Sequence, residues 1–313
     1  VSPAEVRAWS APTVVLSRFA KYVWTTEETF TARLQVAHYG ADDLPPSPVQ
    51  WSLRVRAGKE IARGELAAKP IPAGGLSDLG TVRVSLDRVG DASALMFCVR
   101  VSAVENQWPI WVYPASIPDP EPEGVVVTRA LDGPAIEALN GGGRVLLLAH
   151  GLKNPYAAQT GFESVYWSAG WWGDKFSSLG VLCQARHAAL AAFPNDGHSD
   201  WHWHALCAGA TTFDLEGAPV ALRPIVQPVP DFHYNTRLAQ VFEGRVGGGS
   251  LLVCGYDLTS DLDRRPAARQ FRRSLFRYLR SDAFRPQVEL PLTWVRSRCG
   301  PAAAAPPDGE GER

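Results

Sequence analysis

The sequence has very little methionine and no long hydrophobic run. Methionine occurs once, at Met96, and the chain begins at Val1 without an initiator methionine or the charged and apolar regions of a signal peptide. The longest apolar runs, RVLLLAHG and SLLVCG, have the length of buried strands. They fall well short of the roughly 18–20 residues that a membrane-spanning helix needs. We therefore expect part of a longer polypeptide that has no membrane partner.

Cysteine is sparse and follows no recognisable spacing. The five cysteines are dispersed and none forms a CxxC pair, at Cys98, Cys183, Cys207, Cys254 and Cys299. This excludes a zinc knuckle and a disulfide-rich scaffold. Cys98 and Cys254 lie inside apolar runs and are predicted to pack in the core. A single disulfide stays open, so cysteine usage does not decide the compartment.

Strong net charge and nucleotide-binding motifs are also missing. The formal net charge is −1 at pH 7, so no overall field attracts nucleic acid. The arginines between 264 and 280 fall mostly opposite an apolar stripe, which is typical of a solvated helix face. The glycine clusters NGGGR and VGGGS follow predicted helices and precede strands, the reverse of a dinucleotide-binding loop, and GxxxxGK[ST] is absent. We expect no nucleic acid partner and no cofactor.

The first third of the chain alternates apolar and polar residues, the period of a strand with one buried face. The segments FTARLQVAH, VQWSLRV, VRVSL and LMFCVRV show this alternation, and turn-rich segments separate them. The apolar positions in these segments are Phe30, Ala32, Leu34, Val36, Val49, Trp51, Leu53, Val55, Val82, Val84, Leu86, Leu95, Phe97, Val99 and Val101. Residues 1–115 are therefore predicted to form a β-sandwich of the immunoglobulin or fibronectin type.

A proline-rich stretch, YPASIPDPEPEG, separates this region from a different pattern. Proline fixes φ and favours stiff, extended connections, so we place a linker at 116–123. Beyond it, GVVVTRAL and RVLLLAHG predict buried strands, and DGPAIEALNGGG predicts a helix with Asp132 as its N-cap. TRLAQVFEGRVGGG predicts a further helix before the strand SLLVCGYDL. Helices that alternate with buried strands favour a parallel sheet with helices on both faces.

The C-terminal part of the chain contains one more helix and then a tail. RRPAARQFRRSLFRYLRS predicts a helix with one apolar face, formed by Ala268, Phe271, Leu275, Tyr278 and Leu279. The α/β domain is thereby predicted over 124–290. Residues 291–313 are predicted to be an extension with a largely disordered end, because GPAAAAPPDGEGER has no large apolar residue.

The stretch HSDWHWH, residues 198–204, permits three interpretations. In an extended conformation its two tryptophans, Trp201 and Trp203, share one face. The opposite face then holds four residues of types that bind zinc or another divalent ion, His198, Asp200, His202 and His204. The tryptophans could alternatively contact a ligand, or they could anchor the segment while the histidines bond to nearby backbone. We favour the structural role and keep the other two open.

A second aromatic stretch, GFESVYWSAGWWGDKF, strengthens the ligand interpretation. Aromatic faces beside carboxylates suit sugar rings, which have apolar CH faces and a rim of hydroxyls. The candidate sugar-binding residues in this stretch are Glu163, Trp167, Trp171, Trp172 and Asp174. The competing interpretation is that these large side chains fix a long loop onto the sheet.

Evidence for catalysis is weaker still. His150 ends a predicted strand, at the carboxyl edge where α/β sheets bind ligands, but a histidine there more often bonds a loop backbone. No GxSxG nucleophile elbow is present. A glycosidase needs two carboxyl groups roughly 5–10 Å apart, and nothing in the sequence orders its acids into such a pair. The sequence identifies no catalytic residue.

Several motifs in order resemble the C-terminal region of bacterial family 2 glycoside hydrolases of the β-galactosidase type. They include SAVENQWPIWVYP, FESVYWSAGWW, LGVLCQARHAALAAFPNDGHSDWHWHAL, RPIVQPVPDF, FEGRVGGGSLLVCGYDL and RRPAARQFRRSLFRYLRSDAF. The resemblance implies a catalytic barrel upstream of Val1, then an immunoglobulin-like domain, then a flavodoxin-like or class I amidotransferase-like domain. VENQW lacks the Asn-Glu pair of the family's acid/base, and we expect Glu105 to lie in a turn. The nucleophilic cysteine of a working amidotransferase has no match.

The predicted fold class is thus multidomain β and α/β, with an immunoglobulin-like β-sandwich followed by a flavodoxin-like or class I amidotransferase-like parallel α/β domain. We expect a non-catalytic accessory region that supports the upstream barrel of the same polypeptide, homo-oligomer assembly or carbohydrate binding. The alternative is a self-contained metal-dependent hydrolase that uses the histidine and aspartate cluster of 198–204. A polysaccharide-degrading parent enzyme favours a periplasmic or extracellular location.

Overall fold

The computed structural model describes residues 2–56, 58–118, 120–160, 178–230 and 236–300. The chain divides into two compact units, Val1–Ile117 and Pro118–Arg313. The division falls inside the range 116–123 that the sequence suggests as a linker. Strands outnumber helices in both units, so the protein is a multidomain, β-rich molecule. None of the helices in the described ranges is both long enough and apolar enough to cross a membrane.

The described residues of the first unit form a short helix and eight strands. The helix is α1 (Pro3–Arg7), and the strands are β1 (Thr13–Arg18), β2 (Val23–Thr25), β3 (Thr29–His38), β4 (Leu44–Val55), β5 (Glu60–Ile71), β6 (Gly75–Ser85), β7 (Ser93–Val101) and β8 (Val104–Tyr113). They form a three-stranded sheet in the order β1-β3-β6 and a five-stranded sheet in the order β2-β8-β7-β4-β5. Only the β2–β8 pair is parallel among these neighbours.

The core of this unit follows the predicted alternation. On β3, Phe30, Ala32, Leu34 and Val36 are fully buried, because every second side chain of a strand points to the same face. Buried residues of both sheets belong to a single hydrophobic cluster. Phe30 of one sheet and Phe97 of the other meet edge to face, with ring centroids 4.9 Å apart. The period-two prediction for this region is confirmed.

Two details of the first unit differ from the predictions. Glu105 lies in β8, opposite Arg100 of β7, and accepts a hydrogen bond from Arg100 Nε at 3.0 Å. The turn comes earlier, at Ser102, whose φ of 52° closes the hairpin; the prediction that Glu105 is a turn residue is therefore wrong. Strand β5 was not predicted, because its sequence EIARGELAAKPI has few large apolar residues. It is an edge strand that pairs with β4 alone.

The second unit contains nine strands, four helices and two short 3₁₀ turns. In chain order the strands are β9 (Val125–Thr128), β10 (Arg144–Leu148), β11 (Ala157–Gln159), β12 (Val181–Cys183), β13 (Thr211–Asp214), β14 (Val226–Pro228), β15 (Leu238–Ala239), β16 (Val241–Val246) and β17 (Gly249–Cys254). The helices are α2 (Gly133–Asn140), α3 (His204–Cys207), α4 (Pro266–Arg280) and α5 (Leu292–Cys299), and the 3₁₀ turns are Ala188–Leu190 and Trp201–Trp203. These counts refer to the described ranges of the unit.

The main sheet of this unit is only partly parallel. Its order is β12-β14-β16-β17-β10-β9, and a smaller sheet has the order β11-β13-β15. Strands β9, β10 and β17 run parallel, whereas the pairs β17–β16, β16–β14 and β14–β12 are antiparallel. The predicted strand–helix–strand unit is present at β9, α2 and β10, where Asp132 Oδ1 accepts the first-turn N–H of Ala135 at 3.0 Å. The prediction of a fully parallel sheet is wrong for the other half.

The antiparallel half begins where a helix had been predicted over 236–249. This segment forms β15 and β16, and β16 joins β17 through a two-residue turn in which Val246 pairs with Gly249. Gly247 has a φ of 59°, the left-handed conformation that a tight hairpin requires. The glycines therefore reverse a strand and do not end a helix.

The apolar face predicted for α4 agrees with the structure, but the core of the second unit includes residues beyond the predicted limit at 290. Ala268, Phe271, Leu275, Tyr278 and Leu279 are all buried, which confirms the predicted face. Helix α5 lies in the range assigned to an extension, yet it packs into the core of the second unit through its own apolar residues. Its tryptophan, Trp294, donates from Nε1 to Glu216 O at 2.9 Å. The disorder predicted for 301–313 lies outside the described residues.

A small polar network is buried beside the two sheets. Gln240 is fully buried between β15 and β16, and its Nε2 donates to Thr212 Oγ1 at 3.1 Å and to Thr160 Oγ1 at 3.4 Å. Its Oε1 accepts from Tyr256 Oη at 2.9 Å. Both groups of the amide thus have partners, as a buried polar side chain requires. The network links the smaller sheet to the loop that follows β17.

Candidate functional site

The predicted sugar-binding residues fall into two groups in the structure. Five of them, in the aromatic stretch of 162–176, lie outside the described residues: Glu163, Trp167, Trp171, Trp172 and Asp174. The other two, Trp201 and Trp203, lie in residues 198–204, which we call the Trp201 turn.

The Trp201 turn is not extended. Asp200 Oδ1 accepts the N–H of Trp201 at 2.7 Å and starts the 3₁₀ turn Trp201–Trp203, which continues into α3. His202 is buried and stacks on Phe193, with ring centroids 5.0 Å apart and an interplanar angle of 20°. Trp203 has no exposed surface, and its ring meets those of Phe193 and Phe271 edge to face. The second half of the stretch is therefore a core anchor.

This turn separates the four residues that were candidates for metal binding. A period-two pattern brings His198, Asp200, His202 and His204 to one face only if the chain stays extended, and here it turns after Asp200. His198 Nδ1 lies 3.0 Å from Ser199 O, and His202 is packed against Phe193. Within the described ranges, no group of three or more His, Cys, Asp or Glu side chains is placed to hold a metal ion. The structure therefore does not show the convergence of these four side chains that the metal interpretation requires.

Trp201 differs from its neighbours because its side chain faces solvent. It is 58% exposed, while the next two residues, His202 and Trp203, are buried. The segment before it lies against strand β12: Cys183 N donates to Gly197 O and Ser199 N donates to Val181 O, both at 2.8 Å. Leu182, which bridges to His198, is also exposed. The Trp201 turn therefore exposes an aromatic ring on a backbone that is held by the bonds to β12 before Trp201 and by two buried side chains after it.

His150 lies at the edge that the sequence predicts. Arg129, His150 and Asp257 follow β9, β10 and β17, and the carboxyl ends of these three parallel strands meet at one edge. Arg129 Nη2 donates to Thr259 Oγ1 at 2.6 Å across this edge. The enclosed space beside His150 has a volume of about 80 Å³. Small-molecule sites usually enclose about 300 Å³ or more, so this edge is too small to hold a sugar ring.

Asp257 organises the loop at this edge. Its Oδ1 accepts from the backbone N–H of Thr259 at 3.1 Å and of Ser260 at 3.0 Å, and its Oδ2 lies 3.2 Å from Arg265 Nη1. Desolvation opposes ionisation of this carboxyl, but the two backbone hydrogen bonds and the nearby guanidinium outweigh it and lower its pKa to about 2. Asp257 is therefore a charged structural residue at neutral pH.

A larger cavity, which we call the Glu243 cavity, was not predicted. It has a volume of about 320 Å³, and its polar and charged walls include Gln184, His187, Arg223, Glu243, Tyr278 and Arg285. Tyr278 Oη donates to Glu243 Oε2 at 2.7 Å, and His187 Nε2 lies 3.8 Å from Glu243 Oε1. A carboxylate, an imidazole and a phenol from three separate segments thus meet at one wall.

Burial changes the acidity of all three groups at this wall. It raises the pKa of Glu243, and the hydrogen bond from Tyr278 offsets this only in part. Burial also lowers the pKa of His187 and, together with the hydrogen bond to Glu243, raises the pKa of Tyr278. Such shifts are common at functional sites because they follow from placing ionisable groups in a partly closed cavity.

The sequence could have indicated that Glu243 is a candidate site residue, but only if its segment had been assigned as a strand. In a helix over 236–249, no pattern distinguishes Glu243 from an ordinary exposed glutamate. In a strand, Val241, Glu243 and Arg245 share one face, and Phe242, Gly244 and Val246 share the other. On the first face, Tyr278 of α4 donates a hydrogen bond to Glu243. The two-residue glycine turn after Val246 was the feature that could have indicated the strand.

Comparison with solved structures gives partial and weak matches. Spo0M, a sporulation control protein from Bacillus subtilis, matches 33% of this chain at 16% identity with a TM-score of 0.25. A β-glucosidase from Listeria innocua matches 32% at 9% identity and 0.26, and a β-glucuronidase from Parabacteroides merdae matches 44% at 10% identity and 0.25. The matched regions span 50%, 16% and 22% of those three proteins. At these scores the likenesses carry no argument about activity.

Comparison with protein families gives a clear result, although no curated protein matches the chain. Residues 28–114, in the first unit, match a family described as Domain of unknown function (DUF8488). Residues 126–299, which make up more than half of the chain and most of the second unit, match the family described as Domain of unknown function (DUF8487). The chain belongs to the DUF8487 family.

Proposed function

We propose that this chain is a non-catalytic accessory region of a larger glycoside hydrolase of the family 2 type, and that it binds carbohydrate through the Trp201 turn. The ordered motifs that resemble such enzymes support the proposal, and the HSDWHWH stretch is among them. In this proposal the hydrolytic reaction takes place in a catalytic barrel upstream in the same polypeptide. The chain contributes to support of that barrel, to assembly of a homo-oligomer or to the sugar-binding surface.

The proposal also assigns a fold type to each of the two units. Two sheets that share one hydrophobic cluster support an immunoglobulin-like β-sandwich in the first unit. The β9–α2–β10 crossover and the parallel strands β9, β10 and β17 support a flavodoxin-like or amidotransferase-like domain in the second. The antiparallel strands β12, β14 and β16 depart from that arrangement.

The exposed ring of Trp201 is the observation that carries the carbohydrate proposal. A flat aromatic ring fixed at the surface stacks on the apolar CH face of a sugar, and polar neighbours bond the hydroxyls at its rim. The side chains of His198 and His204 are exposed on either side of Trp201 in sequence. Buried His202 and Trp203 hold the turn in place, so little conformational entropy is lost when a ligand binds.

The proposal is tested by titrating the chain with cello-, manno-, xylo- and galacto-oligosaccharides in a calorimeter. The Trp201→Ala variant is expected to bind its best ligand roughly tenfold more weakly, which corresponds to the loss of about 1.4 kcal/mol from one aromatic contact. Trp9→Ala is the matched control, because Trp9 is a tryptophan of similar exposure, 67%, in the other unit. This control is expected to bind as the unaltered chain does.

Two results would contradict the proposal. One is a failure of every oligosaccharide in the panel to bind, or equal binding by the Trp201→Ala variant and the unaltered chain. The other is turnover of an aryl glycoside by the purified chain that disappears when one of its own carboxylates is replaced, because that result would make the chain catalytic.

A further inference from the structure

The Glu243 cavity has the size and the composition of a binding site for one small molecule. Its volume of about 320 Å³ lies at the lower end of the range of about 300–1,000 Å³ that is usual for ligand sites, and suits a molecule of monosaccharide size. Its walls come from β16, from α4, from the segment at the start of the 3₁₀ turn Ala188–Leu190, from residues 221–223 and from residues 283–288. All of these lie in the second unit.

The protonation of His187 follows from its backbone contact. His187 Nδ1 accepts the N–H of Ala189 at 3.2 Å, so this nitrogen carries no hydrogen. The neutral ring must then carry its hydrogen on Nε2, the atom that faces Glu243 Oε1. Burial lowers the pKa of His187, which keeps the ring in this neutral state. The cavity wall therefore presents an N–H donor beside a carboxylate acceptor.

The spacing of this donor and acceptor fits a hydroxyl group. The Nε2 and Oε1 atoms are 3.8 Å apart, which is too long for a direct hydrogen bond. A hydroxyl is both donor and acceptor, so it can accept from His187 Nε2 and donate to Glu243 Oε1 at the same time. Glu243 Oε2 is already bonded to Tyr278 Oη, which fixes the orientation of the carboxylate.

Two arginines give the same cavity a positive side. Arg223 Nη1 donates to Val220 O at 3.1 Å, and Arg285 Nη2 lies 3.6 Å from Asp282 Oδ1 in a pair that is mostly exposed. A guanidinium has five N–H donors, so both arginines keep donors for a further acceptor. Planar guanidinium groups bind carboxylates with two parallel hydrogen bonds. An anionic group on the ligand would be held here.

We propose that the Glu243 cavity binds a hydroxylated carboxylic acid of monosaccharide size, a sugar acid, with a hydroxyl between His187 and Glu243 and the carboxylate on Arg223 and Arg285. This site is separate from the Trp201 turn and does not depend on the function proposed above. The acid can be free or the terminal residue of an acidic oligosaccharide, since both present the same groups.

The test is calorimetric titration of the whole chain with D-glucuronate, D-galacturonate, D-glucose and acetate. One of the two sugar acids is expected to bind at least tenfold more tightly than glucose, which lacks the carboxylate, and than acetate, which lacks the hydroxyls. A tetragalacturonide in a further titration distinguishes the two sources. If only the free acid binds, the ligand is a free metabolite. If the oligomer binds as well, the site also accepts the terminal residue of a chain.

Matched variants connect this binding to the cavity. Glu243→Gln and Arg285→Ala are each expected to weaken sugar-acid binding at least tenfold. Arg245→Ala is the control, because Arg245 is an exposed arginine of the same strand that pairs with Glu289 and does not line the cavity. Trp201→Ala is also expected to leave this binding unchanged, so failure here and failure of the carbohydrate proposal are distinguishable.

The proposal is overturned if neither sugar acid binds at millimolar concentration, or if glucose or acetate binds as tightly as the acids do. It is also overturned if Glu243→Gln and Arg285→Ala both bind normally. Because Arg285 is largely exposed, its replacement leaves the fold intact, and its result stands even if Glu243→Gln unfolds.

Discussion

Two polar residues of the second unit, one buried and one half-buried, have several hydrogen-bonding partners each. The amide of Gln240 is paired with Thr160, Thr212 and Tyr256, and the carboxylate of Asp257 with two backbone N–H groups and Arg265. Leaving such a group without its partner costs about 1–3 kcal/mol. These contacts therefore contribute both to stability and to the choice of a single loop conformation.

Asp257 gives a prediction for the pH dependence of stability. Its pKa falls from an ordinary 3.8 to about 2 on folding, so its contribution is present above pH 3.8 and is lost as the pH falls towards 2. Asp257→Asn is expected to unfold at lower urea concentration than the unaltered chain at pH 7. The difference is expected to shrink steadily between pH 4 and pH 2.

The measurement is a series of urea melts of both proteins across that range. Asp282, an aspartate with a 94% exposed side chain, serves as the control, because its replacement by asparagine is expected to change the midpoint little at any pH. A constant difference between Asp257→Asn and the unaltered chain down to pH 2 would show that the charge of Asp257 does not stabilise the loop.

At the scale of elements, the sequence predicted those segments whose apolar period agrees with their local signals. Helix α4 combines a proline near its start with a single apolar face, and in β3 apolar residues occupy every second position from Phe30 to Val36. In β16 the two kinds of signal disagree: LAQVFEGRV fits a helical period over its first turns, whereas the two glycines after Val246 indicate a hairpin. Pairing with β17 makes this segment a strand, and a local sequence pattern does not reveal the partner strand.

The same limit applies to the candidate sites. Aromatic and metal-binding residue types in 198–204 were recognisable, but their placement depends on a turn at Asp200 that buries Trp203 and His202. The Glu243 cavity joins residues from 184 to 288. No local pattern relates His187 to Tyr278, because their proximity arises from the packing of α4 on the 3₁₀ turn Ala188–Leu190.

The glycine that opens β17 gives a prediction at this scale. A Cβ at Gly249 would lie 2.6 Å from Gly143 O and 2.7 Å from Leu139 O, both backbone atoms that cannot rotate away. Gly249→Ala is expected to destabilise the second unit by about 1–3 kcal/mol, the usual cost of overpacking. Gly75, which opens β6, has no atom within 4 Å of a Cβ and provides the control.

Thermal or urea unfolding of the two variants checks this expectation. Gly75→Ala is expected to change stability by less than about 1 kcal/mol, since alanine there meets open space and restricts the unfolded chain. Equal stability of Gly249→Ala and Gly75→Ala would mean that α2 can move away from the hairpin without cost.

At the scale of the whole molecule, each unit has its own hydrophobic cluster. One cluster contains only residues of the first unit, and another contains only residues of the second. The change from period-two alternation to alternating helices and strands made this division predictable, together with the prolines after Tyr113. The C-terminal limit of the second unit was not predictable from hydropathy, because α5 places its few apolar residues against distant parts of the chain.

Two separate cores predict two unfolding events. Residues 1–117 expressed alone are expected to unfold cooperatively, with the same midpoint as one of two transitions in the calorimetric scan of the whole chain. Gly249→Ala is expected to shift only the other transition. A single transition that shifts as a whole in Gly249→Ala would show that the units unfold together.

The backbone bonds between β12 and residues 197–199 have a consequence for association. Strand β12 is the last strand on its side of the main sheet, and an uncovered last strand offers N–H and C=O groups to which a second molecule can add a strand. Here the chain occupies those groups itself: Gly197 O accepts from Cys183 N, and Ser199 N donates to Val181 O. The segment that displays Trp201 thus also protects this border of the sheet against edge-to-edge aggregation.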